Sequence, residues 1–166
     1  MDAFIRITER ITRSVGIMAS FAIVPLVLAT CYEVTARYLF HAPTIWAYEI
    51  GYTLTGSHFL LGMAYTLAAG AHIRIDIFSG NFAPRTRALI DLAAYAVMLP
   101  LLVWLSYALF QHLATGYLRA ERSGQSAMNL PVWPFRTVFF IAFTLLALQV
   151  LAEVVKTVRI LRRAGR

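Results

Sequence analysis

Four apolar stretches, at 15–32, 50–71, 92–110 and 137–152, occupy most of this 166-residue chain. A bilayer core about 30 Å thick is crossed by roughly 20 mainly apolar helical residues, and the backbone polar groups inside it must be satisfied within the helix. The pattern predicts an all-α, integral membrane four-helix protein forming one domain. Its expected parts are an amphipathic arm at 1–14, spans at about 15–40, 45–70, 88–121 and 131–155, a connection at 71–87 and a basic tail at 156–166. At 60% hydrophobic residues, little chain remains for a soluble domain.

The net charge of +7 has a membrane explanation rather than a nucleic-acid one. Arg6, Arg10 and Arg13 precede the first span, Arg74, Arg85 and Arg87 lie in the second connection, and Lys156, Arg159, Arg162, Arg163 and Arg166 end the chain. Four crossings put all three groups on one side, which the positive-inside rule makes the cytoplasm. The expected orientation is N-in, C-in. No basic stripe suited to nucleic acid is present.

Phe4, Ile7, Ile11 and Val15 share one helical face and Arg6, Arg10 and Arg13 another, as in an amphipathic helix lying in the interface. A signal peptide is a poor alternative, because the apolar run exceeds the usual 7 to 15 residues and lacks a small-residue cleavage site. Leu28-Ala29-Thr30-Cys31 faintly resembles a lipoprotein box, but cleavage there would leave three crossings. Cys31 is the lone cysteine, so no disulfide or thiolate metal site is expected.

Pro25 and Pro100 fall inside the first and third spans, where proline can kink a helix. The short turn 41–44 makes the first two helices antiparallel neighbours, with Thr44 placed to cap the second. Gly62, Thr66 and Gly70 recur every fourth residue, a smooth strip for another helix, internal or from a partner. The third helix is expected to continue to Arg122 and stop at Ser123-Gly124. Such a helix is about 50 Å long and projects beyond the membrane unless tilted.

Ionisable residues in a span call for a reason. Glu33 and Arg37 stand four apart in the favourable order, and Glu49 lies three residues past Trp46 near the interface. Structural pairing is the preferred reading of both carboxylates over an ion or proton site. His58 lies near mid-membrane with no second histidine at matching depth for haem, so a hydrogen bond to a neighbouring helix is expected. No hydrolytic triad, P-loop or metal-ligand cluster is present, so neither enzyme activity nor a cofactor is expected.

Three patterns together resemble the small membrane subunit, DctQ-like, of tripartite ATP-independent periplasmic (TRAP) transporters. They are Glu33-x-x-x-Arg37-Tyr38-x-Phe40 with Pro43-x-x-Trp46-x-x-Glu49; Gly62 followed by His72-Ile73-Arg74-Ile75-Asp76; and Leu130-Pro131-Val132-Trp133-Pro134 with Leu148-Gln149. Phe140-Ile141-Ala142 departs from a Pro and Gly often found early in the fourth helix. The resemblance implies a bacterial inner-membrane system of three parts for sodium-coupled uptake of an organic acid. A periplasmic substrate-binding protein captures the acid, a large DctM-like membrane subunit carries it by an elevator movement, and this small subunit scaffolds the large one in the lipid bilayer.

On that resemblance Glu33, Arg37, Trp46 and Glu49 set the outer ends of the first two helices, and His72, Arg74 and Asp76 fix the inner connection. Arg119, Glu121 and Arg122 become a candidate contact for the binding protein. The competing class is a self-sufficient four-helix transporter acting as a homodimer, which needs a membrane carboxylate facing a cavity; Glu33 is its only candidate.

Overall fold

The computed structural model describes residues 2–70, 83–125 and 128–164. Among them are five helices: α1 (Asp2–Ser20), α2 (Ile23–Leu39), α3 (Trp46–Ala68), α4 (Pro84–Leu118) and α5 (Trp133–Ala164). The expected arm and first span do not part near residue 14. Helix α1 runs unbroken through that point, and the break comes at Phe21-Ala22.

Pro25 accounts for the position of the break. It has no N–H to give the Phe21 carbonyl, and its ring crowds that carbonyl four residues back. The local bonds tighten instead to three-residue spacing, Ala22 N–H to Ala19 O at 3.1 Å and Val24 N–H to Phe21 O at 3.1 Å. Normal spacing resumes with Leu26 N–H to Ala22 O at 3.2 Å. Pro100, by contrast, is carried within the continuous α4.

Helix α3 runs antiparallel along both α1 and α2. Tyr32 faces Trp46 near the turn, His58 reaches Ala19, and Gly16 meets Tyr65 further down. Ile5, Thr8, Thr12, Gly16 and Ala19 form the buried stripe of α1, while Phe4, Ile7 and Ile11 face outward. The seam therefore uses small and hydroxyl residues, leaving the bulkier apolar face for lipid. Close helix approach inside a membrane favours this division.

Helices α4 and α5 form a second antiparallel pair, packed on α3 through α5. Ala64 and Leu67 of α3, Tyr95 and Leu102 of α4, and Leu145, Leu146, Ala147 and Val150 of α5 make one core cluster. The exterior remains apolar: Leu101, Val103, Trp104 and Tyr107 on α4 are all exposed. Three helical stretches, Ala3–Leu39, Arg85–Leu118 and Trp133–Arg162, are long and apolar enough to cross a membrane. Helix α3, at 23 residues, is about 34 Å long; it carries Glu49, His58 and several hydroxyls and is not one of these three stretches.

Helix α4 ends at Leu118, short of the expected Arg122. Ala120 takes a left-handed φ of 49°, and the Glu121 N–H returns to the Gly116 carbonyl at 3.0 Å while the Ala120 N–H returns to Tyr117 O at 3.1 Å. This is a Schellman closure with alanine where glycine is usual, so the sequence carried no stop signal there. Ser123-Gly124 instead belongs to the following loop. The loop folds back on itself, with Ser123 N–H to Leu130 O at 2.9 Å and Val132 N–H to Glu121 O at 3.1 Å.

A Cβ at Gly16 would lie 2.5 Å from the Tyr65 Cβ, whereas one at Gly62 would meet nothing within 4 Å. Gly16→Leu should therefore lower unfolding stability in detergent by about 1–3 kcal/mol through overpacking. Gly62→Ala should raise it by about 0.5–1 kcal/mol, the helix-interior difference between the two residues. Reversible unfolding of the two purified variants measures both.

Candidate functional site

Several polar residues of the spans are gathered into latches at the two ends of the bundle. At the α2–α3 turn, Glu33 receives four donors. Arg37 gives its Nε at 2.9 Å and Nη2 at 2.5 Å to one oxygen, and Thr44 gives its N–H at 2.8 Å and its hydroxyl to the other. The carboxylate thus joins a residue of α2 to the far side of its own turn. Thr44 does not cap α3, whose N-cap is Ile45 without a side-chain bond; its hydroxyl is already committed to Glu33. Trp46 stacks on Tyr32 with ring centres 5.8 Å apart.

Glu49 turns inward. It is fully buried, at 0% exposure, and reaches the loop between α4 and α5. The Ser123 hydroxyl bonds one oxygen and the Leu130 N–H bonds the other at 3.3 Å. Beside it, Arg136 of α5 pairs with Glu121 at 2.6 Å and donates to the His112 carbonyl of α4 at 3.2 Å. Gly116 makes room for this arginine: a Cβ there would sit 1.9 Å from Nη1.

A third latch closes the opposite end, where α1 begins and α5 finishes. Lys156 binds Glu9 at 2.5 Å and Glu153 at 2.7 Å, and the buried Gln149 donates to Glu153 at 3.0 Å. Charged hydrogen bonds of this kind are stronger than neutral ones. Sequence reading missed Glu9, Glu153 and Lys156 as a set. The spacing 149, 153, 156 along one helix face was the available signal, but nothing local pointed to Glu9.

The other expected residues divide. His58 Nδ1 lies 3.0 Å from the Ala19 carbonyl and must donate to it, beside the helix break. Thr66 bonds the Gly62 carbonyl at 2.9 Å within α3, and the strip has no close neighbour at Gly62. Gly70 is not part of the strip. It follows the end of α3 with φ of 66°, a conformation that terminates a helix. Glu121 is tied to Arg136 and Arg122 to the Asn129 carbonyl at 3.1 Å, while Arg119 is exposed at the end of α4. His72, Arg74 and Asp76 lie outside the described residues.

Chemically, the arrangement ties helices and turns to one another. Glu33 and Glu49 are each occupied by donors, and among the described residues no group of three His, Cys, Asp or Glu could hold a metal. Residues 26–160 match the family model for tripartite ATP-independent periplasmic transporters, DctQ component. No curated protein matches the chain.

Glu49→Ala should strand the Ser123 hydroxyl and the Leu130 N–H, costing about 1–3 kcal/mol. Glu49→Gln, which keeps one acceptor, should cost less. Hydrogen exchange at Leu130, read by mass spectrometry, should accelerate in the alanine variant first.

Proposed function

Because the chain belongs to the family of DctQ components of tripartite ATP-independent periplasmic transporters, we propose that it is the static frame on which a large DctM-like subunit is held during uptake. It is a multi-pass membrane protein and not an enzyme. In this reading the large subunit moves an organic acid with sodium ions by an elevator movement, and a periplasmic binding protein delivers the acid. The assembly sits in the inner membrane of a bacterium with both termini of this chain in the cytoplasm. The three basic groups at segment ends support that orientation.

The observation that carries the proposal is that the charged groups of the latches are engaged within the chain. Glu33 accepts from Arg37 and Thr44, Glu49 from Ser123 and Leu130, and Lys156 spans two carboxylates. A coupling site must release and rebind ions, whereas these groups are engaged in joining one segment to another. A frame needs that rigidity, since an elevator moves only against something that does not. The same occupancy of Glu33 argues against the self-sufficient homodimer.

Three residue assignments extend the reading. Glu33, Arg37, Trp46 and Glu49 shape the end of the bundle that faces the periplasm. His72, Arg74 and Asp76 fix the connection at the other end. The loop bearing Arg119, Glu121 and Arg122 meets the binding protein, with Arg119 and Arg122 its exposed charges.

The direct test is to tag this chain in its native membrane, solubilise it gently and identify stoichiometric partners by mass spectrometry. A large polytopic protein is expected; recovery only as a homodimer would overturn the reading. Arg37→Glu should reduce that recovery and uptake together, and an intact, fully active complex in this variant would count against the role given to the turn. Gly62→Leu should leave the isolated chain folded, since the space above Gly62 is open, yet weaken co-purification if that strip meets the large subunit.

A further inference from the structure

Three arginines on α1 have no role in the latches. Arg6, Arg10 and Arg13 share one face, and among the described residues none of them makes an ion pair or a hydrogen bond. Glu9, the nearest carboxylate in sequence, is held by Lys156. The next face of the same helix is apolar and exposed: Phe4 at 37%, Ile7 at 58% and Ile11 at 47%. Where the two faces meet, Ala3, Arg6, Ile7 and Arg10 of α1 border a shallow, open recess. A second, of about 390 Å³, lies between α1 and the end of α3, lined by Glu9, Arg13, Tyr65, Ala68 and Ala69.

We propose that the recess at Arg6, Ile7 and Arg10 is a binding site for an anionic phospholipid. Its phosphate is held by the two guanidiniums and its acyl chains lie along Ile7, Ile11 and Phe4. The chemistry of the lining selects this occupant. Arginine forks match phosphate oxygens in pairs, and an apolar stripe one face away suits hydrocarbon but not a free phosphate or a soluble anion. Basic clusters at the ends of membrane helices attract anionic headgroups, each charge contributing roughly a fivefold preference. Arg13, next along the same basic face of α1, offers a third guanidinium for the second phosphate of a two-phosphate lipid.

The site also has a structural effect. The seam of α1 with α3 and α5 rests on small and hydroxyl residues, Thr8, Thr12, Gly16 and Ala19, which bury little apolar area. A lipid bound along the outer face adds contact to the helix most in need of it.

The test uses the full chain in mixed micelles, with retained lipid counted by native mass spectrometry. The probes are phosphatidylglycerol, cardiolipin and phosphatidylcholine. The wild type should retain phosphatidylglycerol at least tenfold over phosphatidylcholine. Arg6→Gln and Arg10→Gln should each lose roughly fivefold of that preference, while Arg119→Gln at the other end of the bundle should keep it. Cardiolipin retained above phosphatidylglycerol, with the excess lost in Arg13→Gln, would extend the site to two phosphates. Equal retention of phosphatidylcholine by the wild type, or an unchanged preference in the Arg6 and Arg10 variants, would overturn the proposal. If those variants fail to fold, the wild type decides alone: α1 amides should exchange more slowly in phosphatidylglycerol than in phosphatidylcholine, and equal rates would refute the site.

Discussion

A carboxylate sealed inside an apolar bundle must have its donors brought to it, and Glu49 imposes that requirement on the whole protein. It lies on α3, but its donors come from Ser123 and Leu130 in the loop joining α4 to α5. Leaving those groups unmatched in a medium without water is expensive. The loop therefore cannot drift from α3, and through the loop the two helix pairs are fixed to each other. A hydrophobic contact at the same place would hold the pieces together without specifying their register; a buried acceptor with two directional donors does both.

The same logic runs through the rest of the bundle and explains its uneven composition. The middle is held by ordinary packing of Leu102, Leu145, Leu146 and Val150. The ends are held by polar latches and by aromatic contacts such as Tyr117 on Trp133 and Tyr52 on Phe135. In water the burial of apolar surface would drive the helices together, but lipid is as apolar as leucine and offers no such drive. Packing, small residues and hydrogen bonds must supply the specificity, and here they are concentrated where the segments turn.

What was legible in the sequence was local. The apolar stretches announced their helices, and Glu33 with Arg37, four apart on one helix, announced their pairing. His58, with no second ligand at its depth, announced a hydrogen bond to a neighbour. What was hidden depended on distance or on an unusual conformation. Glu49 and its donors are separated by 74 and 81 residues, and Glu9 with Lys156 by most of the chain. Ala120 ends α4 in a conformation for which alanine gives no warning, and Gly70, which fitted a four-residue repeat, is a helix terminator. A repeat can be counted from sequence, but where the helix stops decides whether its last member belongs.

The meeting of Arg136 with Gly116 restricts motion as well as composition. The guanidinium passes over bare backbone at one point on α4 and is fastened on either side, to Glu121 and to the His112 carbonyl. Sliding α5 by one turn, about 5.4 Å, would take the guanidinium off Gly116 and strip both fastenings. The pair α4–α5 is in effect a keyed shaft, able to bend as a unit but not to ratchet. A load applied along either helix is passed on to the other without slippage.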